Sequence, residues 1–128
     1  MNSMSAIPWH QYSIIAYLAG QLGHKRKLGK TAMQKLVYLI QELENVPVGY
    51  SFHFYHYGPY SSGLAGDLEF VSSLQGIQIS YDPLLNMYNI SDGDKAQVLV
   101  KKSQDFINRY THEIDQIMNA FGSKRAEN

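Results

Sequence analysis

The chain has five histidines, whose side chains can bind a metal or move a proton, and it has no cysteine. The closest pair, His53 and His56, is three residues apart in a run typical of a strand, where that spacing places side chains on opposite faces. Such a pair does not chelate one ion. HExxH, P-loop, dinucleotide-glycine and Ser-His-Asp patterns are also absent from the sequence. We therefore predict a protein that is not an enzyme and uses no metal or cofactor.

Tyrosines surround a Gly-Pro pair in the middle of the chain. The aromatic alternation from Tyr50 to Tyr57 predicts a strand, and Gly58-Pro59-Tyr60-Ser61 predicts a turn into a helix capped by Ser61 or Ser62. Exposed tyrosines beside a rigid turn favour binding of a protein, because tyrosine offers a large contact area at a small entropic cost. The predicted protein-binding residues are Tyr55, Tyr57, Gly58, Pro59, Tyr60, Ser61 and Asp67.

Basic side chains cluster in the loop from His24 to Lys30, between the first two predicted helices. Lys30 lies near the N-terminus of the second helix, where an anion is favoured, so the loop could contact phosphate or nucleic acid. Such a run is also typical of a solvated loop. The candidate phosphate or nucleic-acid contacts are Lys25, Arg26, Lys27 and Lys30.

Apolar residues at helical spacing predict the helices that must position these side chains. Two helices open on a capping-box spacing, in which a hydroxyl caps the helix and a side chain three residues later reaches back. These pairs are Thr31 with Gln34 and Ser91 with Asp94. The predicted helices cover residues 9–22, 31–44, 61–74 and 91–121.

Residues 77–81 and 87–90, on either side of a turn-rich segment, predict a β-hairpin. The order is therefore helix, helix, strand, helix, two-stranded wing and long closing helix, which is the order of a winged helix-turn-helix. We predict an α+β fold with one winged helix-turn-helix-like domain over residues 1–122 and a long C-terminal helix. Residues 123–128 are expected to form a frayed tail.

The third predicted helix would be the reading helix of a winged helix-turn-helix, the one that enters the major groove. It carries no Arg, Lys, Asn or Gln before Gln75, and it carries Asp67 and Glu69, which phosphates repel. This chemistry favours a protein partner. The alternative is a winged-helix transcription regulator that binds DNA through the basic loop 24–30 and the wing.

The last predicted helix has an apolar stripe at alternating spacings of three and four residues, a coiled-coil-like pattern. The stripe consists of Ile107, Tyr110, Ile114, Ile117 and Phe121. It predicts either part of the hydrophobic core or the seam of a homodimer through the C-terminal helix, and the sequence leaves both alternatives open.

The overall charge gives no reason to expect nucleic acid or an anionic membrane as partner, because 11 basic and 11 acidic residues leave zero formal net charge. The chain has 128 residues, which is one domain's worth, and 45% of them are hydrophobic, an ordinary globular balance. The longest apolar runs are far shorter than the ~20 residues that cross a bilayer. No basic residue precedes the first apolar stretch, as a signal peptide would require. We expect a cytoplasmic protein that does not bind a membrane.

Two separated patterns, Gln34-Lys35-Leu36-x-Tyr38-Leu39 and Tyr57-Gly58-Pro59, resemble one group of proteins. Together with segments 64–68 and 87–91 they resemble the YwgA-like and SocA-like (Panacea-domain) proteins of bacteria, archaea and phages. The resemblance implies a winged-helix-like domain that often serves as the antitoxin of a toxin-antitoxin pair. It thus implies a non-catalytic protein-binding module of antitoxin or regulatory type, with a toxin as one kind of partner.

Overall fold

The computed structural model describes residues 6–25 and 27–127 of the chain, with side chains as far as residue 121. Within these ranges the chain forms five helices and two antiparallel two-stranded sheets, an α+β fold. The helices are α1 (Trp9–Leu22), α2 (Lys30–Glu42), α3 (Ser62–Ser73), α4 (Ala96–Lys102) and α5 (Gln104–Glu127). The strands are β1 (His53–Tyr55), β2 (Gly58–Tyr60), β3 (Ile77–Asp82) and β4 (Met87–Asp92).

Helix α1 runs through the middle of the fold over the predicted range. Four consecutive residues, 13–16, are buried, and α1 contacts α3, α4, α5 and both strands β3 and β4. Four consecutive residues cover a full helical turn, so this turn of α1 is buried on every side, unlike a turn of the amphipathic helix that the sequence predicts. The hydroxyl of Ser13 donates a hydrogen bond to the carbonyl oxygen of Leu99 (2.5 Å), which satisfies a polar group inside the core.

Helix α2 forms as predicted, but its predicted capping box is wrong. Gly29 occupies the N-cap position and no side chain caps the helix. Gln34 does not reach back towards Thr31, because its buried side chain binds the backbone of Ser61 instead. The helix ends at Glu42, two residues before the predicted end.

The β1–β2 hairpin shows that two predictions are wrong, the strand over residues 50–57 and the turn over residues 58–61. His56 and Tyr57 form the turn, and Gly58–Tyr60 is itself a strand that pairs with His53–Tyr55. Pro59 lies opposite Phe54. In an antiparallel ladder, residue pairs that share two backbone hydrogen bonds alternate with pairs that share none. Proline has no N–H donor, so it is tolerated in a pair of the second kind.

The β3–β4 hairpin, called the wing here, confirms the predicted β-hairpin. Its six residue pairs run from Ile77 opposite Asp92 to Asp82 opposite Met87. Ile77 and Ile90 are buried and attach the wing to the core.

The predicted single closing helix is wrong, because the chain forms two helices there. Ser91 belongs to β4, so the predicted capping box with Asp94 does not form, and α4 begins at Ala96. Helix α4 packs on α1 and ends at Lys102, because the next residue, Ser103, has a φ of −136° and a ψ of 46°, which are not helical. Helix α5 bends at Tyr110 (φ −111°, ψ 15°) and continues to Glu127, past the predicted end near residue 121. The side chains of the predicted tail, residues 123–128, lie outside the described residues.

The apolar stripe of α5 lies in the core of the single chain. Ile107, Ile114 and Ile117 are buried, and Tyr110 and Phe121 pack partly buried against the same core. Helix α5 contacts α1 and α2. Of the two roles predicted for the stripe, the structure therefore shows the core role.

Candidate functional site

The β1–β2 hairpin carries a cluster of tyrosine rings at the predicted protein-binding surface. Tyr55 and Tyr57 stack with ring centroids 5.7 Å apart, and Tyr60 lies edge-on to them at 6.0 Å and 6.5 Å. His56 lies edge-on to Tyr57 at 5.4 Å. Tyr55 and Tyr57 are 51% and 53% exposed. The cluster is therefore an assembled aromatic surface that faces solvent.

Gln34 of α2 fixes the point where the hairpin passes into α3. Its Nε2 donates to the carbonyl oxygen of Ser61 (3.0 Å), and its Oε1 accepts from the amide of Ser61 (2.8 Å). The Oγ of Ser61 accepts from the amide of Leu64 (3.1 Å), which confirms the predicted helix cap. Ser61 is buried, so it anchors the hairpin from beneath and presents no exposed side chain to a partner.

Asp67, also predicted as a contact residue, is engaged inside the chain. Its carboxylate accepts a hydrogen bond from the hydroxyl of Tyr50 (2.5 Å). Burial, the hydrogen bond and the charge of Asp67 raise the pKa of the Tyr50 phenol. Burial and the same carboxylate raise the pKa of Tyr12. Asp67 thus joins α3 to the segment before β1.

A second aromatic group lies on the other face of the hairpin and is absent from the predicted site. Tyr38 of α2 contacts Phe52 and Phe54 edge-on at 5.4 Å and 5.2 Å. Phe54 is 67% exposed. The alternation of the strand places Phe52 and Phe54 on one face, but nothing in the sequence shows that this face stays open to solvent.

Two adjoining cavities lie beside the tyrosine cluster. The first, of about 650 Å³, lies between α2, β2 and α3 and is lined in part by Pro59 and Tyr60. The second, of about 560 Å³, extends past Tyr88 of the wing to α5. The side chains that line both are Lys30, Thr31 and Tyr57. The cavities therefore form one depression, called the α2 groove here.

The basic loop is tied to the wing by its backbone. The amide of Leu28 donates to Oδ1 of Asn89 (2.7 Å), and its carbonyl oxygen accepts from the amide of Ile90 (2.7 Å). Lys27 pairs with Asp82 at 3.4 Å. Desolvation opposes ionisation of Asp82, but hydrogen bonds from backbone amides of the wing turn and from Lys27 lower its pKa. This end of the loop is therefore a fixed part of the domain surface.

The candidate phosphate-binding residues differ in whether their side chains already make contacts within the chain. Lys30 pairs with Glu69 of α3 at 3.1 Å, and its Nζ lies 4.3 Å from the ring centroid of Tyr88. Lys25 is exposed, and Arg26 lies outside the described residues. A carboxylate lies beside each of Lys27 and Lys30, so this surface has less net positive charge than the sequence suggests.

His53 and His56 are both exposed on the hairpin. No group of three or more His, Asp or Glu side chains that could hold a metal occurs in the part of the chain that the structure describes. Among the described helices, none combines the length and the apolar character needed to cross a membrane.

Comparison with protein-family models, with curated proteins and with solved structures finds no match to this chain. The resemblance to YwgA-like and SocA-like proteins consequently stays a prediction from two sequence patterns. The exposed tyrosines and the groove beside them are the features of the molecule that bear on its function.

Proposed function

We propose that the chain is a non-catalytic protein-binding module of antitoxin or regulatory type, whose partner docks on the β1–β2 hairpin and the start of α3. The cluster of Tyr55, Tyr57 and Tyr60 carries this proposal. Tyrosine rings that already contact one another have little conformational freedom left to lose, and tyrosine is enriched among residues that dominate binding energy. Phe54, exposed on the other face, extends the aromatic surface.

The charge of this surface supports a protein partner over duplex DNA. Glu69 is exposed on α3, and Lys27 and Lys30 each lie beside a carboxylate. A surface that binds duplex DNA needs several basic side chains free to neutralise phosphates. The alternative is a winged-helix transcription regulator that binds DNA through the basic loop 24–30, of which Lys25 is an exposed lysine, and the wing.

We also propose a winged-helix arrangement for the domain, with α3 in the place of the reading helix. The order α1, α2, α3, β3, β4 supports this arrangement. The β1–β2 hairpin is an addition to that order, inserted between α2 and α3. Because this addition carries the exposed tyrosines, it supports a role of the hairpin in binding.

Affinity capture from the native host, followed by calorimetry, tests the proposed function. The tagged chain captures its partner, which is identified by mass spectrometry, purified and titrated against the wild type and Tyr55→Ser. We expect Tyr55→Ser to weaken binding about 30-fold, or ~2 kcal/mol, the loss typical of a central aromatic anchor.

Tyr81→Ser is the matched control for this experiment. Tyr81 lies in β3 and is 49% exposed, close to the 51% of Tyr55. The control should leave the affinity within about twofold of the wild type. Unchanged affinity of Tyr55→Ser, or equal losses in the two variants, would exclude the hairpin as the binding site.

A further inference from the structure

The α2 groove carries an excess of positive charge. Its described lining includes Lys27, Lys30 and Lys35 against the carboxylate of Glu69. The whole chain has zero formal net charge, so this excess is a local feature of the groove. A complementary ligand is therefore negatively charged.

The lysines of the groove are able to change partners. Lys30 pairs with Glu69, and their side chains are 38% and 65% exposed. Lys27 and its partner in the wing are likewise partly exposed. Ion pairs at such positions are weak, so an incoming carboxylate can replace the internal one. Lys35 is exposed and makes no ion pair or hydrogen bond with the residues that the structure describes.

The rest of the lining is largely apolar, and its shape favours an extended ligand. Apolar and aromatic side chains of the lining include Pro59, Ala65, Leu68, Met87 and Tyr88. Each cavity has the volume of a pocket for a small ligand, and the two adjoin along shared residues. An extended peptide reaches both cavities, whereas a compact ligand fills one.

We propose that the α2 groove binds an extended acidic segment of the partner protein, with carboxylates on Lys30 and Lys35 and an apolar side chain against Pro59 and Ala65. This inference rests on the proposed function, because it names the chemistry of the protein that docks on the hairpin. Nucleic acid fits less well, because it carries a phosphate at every nucleotide, whereas a peptide can place an uncharged residue beside the carboxylate of Glu69.

Selection from a phage-displayed library of random dodecapeptides, with the full chain as bait, tests the inference without the natural partner. Selected peptides should combine Asp and Glu with an apolar residue. Synthetic copies should bind the double variant Lys30→Gln/Lys35→Gln about tenfold more weakly than the wild type. Their affinity for the wild type should fall as the salt concentration rises.

The double variant Lys95→Gln/Lys101→Gln is the matched control. Both lysines are exposed, one at each end of α4, and neither belongs to the groove lining. This variant should bind the peptides within about twofold of the wild type. Thermal unfolding of both double variants verifies that the fold is retained.

Four results would overturn the groove inference. Three of them come from the peptide experiment: the library selects no peptide, the selected peptides are not acidic, or the two double variants bind the selected peptides with equal affinity. The fourth comes from a nucleic-acid ligand. A twenty-nucleotide oligothymidylate is titrated in parallel. Tighter binding of this oligonucleotide than of the peptides, weakened in Lys30→Gln/Lys35→Gln, would assign the groove to nucleic acid.

Failure of the groove inference is distinguishable from failure of the proposed function, because Tyr55 is not part of the groove lining. If Tyr55→Ser weakens binding of the captured partner and Lys30→Gln/Lys35→Gln does not, hairpin binding stands and the groove inference fails. If neither substitution changes the affinity, both fail.

Discussion

At the scale of single residues, Gln34 shows how a distant contact overrides a local pattern. Its spacing from Thr31 predicts a capping box, yet its amide binds both backbone groups of Ser61, 27 residues away. Ser61 is buried, so its N–H and C=O need partners inside the protein. A four-residue sequence pattern does not show that these backbone groups need partners, because they become buried only when α2 and the hairpin pack together.

Replacement of Gln34 by alanine should lower the free energy of unfolding by about 2–3 kcal/mol, because it leaves two buried backbone groups without partners. Urea unfolding followed by circular dichroism measures the change. Gln21→Ala, at an exposed position of α1, is the control and should change stability by less than ~0.5 kcal/mol. Equal effects of the two substitutions would show that the Gln34 amide does not hold Ser61.

Tyr50 makes the stability of the folded chain depend on pH in the alkaline range. Burial, together with the hydrogen bond and charge of Asp67, raises the pKa of its phenol above the ordinary 10.0. Below that pH the phenol is protonated in the folded and unfolded chains, so it adds no pH dependence. Above it the unfolded chain ionises first, and stability falls as pH rises, by at most about 1.4 kcal/mol per pH unit from this group.

Urea unfolding at about pH 8 and about pH 11 checks the direction of this effect. Tyr50→Phe should lose less stability than the wild type between the two pH values. Tyr55→Phe, which removes one hydroxyl from an exposed ring, is the control and should behave like the wild type. A wild-type pH dependence in Tyr50→Phe would contradict the role given to this phenol.

At the scale of elements, local periodicity suffices for α1 and the wing but not for the β1–β2 hairpin. Residues 9–22 are predicted as a helix and form one over the same range, because apolar spacing is a local property. His56 and Tyr57 carry no turn signal, and Pro59 normally interrupts a strand. The hairpin depends on the pairing of Pro59 with Phe54, which a pattern along the chain does not reveal.

Gly58→Ala and Gly66→Ala form a matched pair that tests the hairpin geometry. Among the described residues, apart from chain neighbours and the helix's own backbone, a Cβ at either position meets no heavy atom within 4 Å, so the space is equal. Gly58 has a φ of +122°, which other residues rarely adopt, and alanine there should destabilise by about 1–3 kcal/mol. Gly66 lies inside α3, where alanine should stabilise by about 0.5–1 kcal/mol. Stability changes of the same sign in urea unfolding would contradict this backbone assignment.

At the scale of the whole molecule, burial decides which predicted residues remain available to a partner. Tyr55, Tyr57 and Tyr60 meet on one surface, as their sequence neighbourhood suggests. Ser61 and Asp67 are engaged within the chain by residues that are distant in sequence. The α2 groove is formed by α2, α3, the β1–β2 hairpin, the wing and α5 together, so no single segment predicts it.

Burial of the apolar stripe of α5 predicts the oligomeric state of the chain. The chain should be a monomer of 14.6 kDa, because the stripe that could join two copies through α5 is already packed in the core. Size-exclusion chromatography with light scattering measures the mass directly. Twice that mass would show that a different surface joins two copies.

Docking of a protein on the tyrosine cluster is the main proposal, and site-specific photocrosslinking in the native host tests it most directly. p-Benzoylphenylalanine replaces Tyr57 or, as control, Val98 of α4, which are 53% and 51% exposed. We predict that irradiation links position 57 to one discrete protein and position 98 to none. No adduct at position 57, or the same adducts from both positions, would contradict the claim.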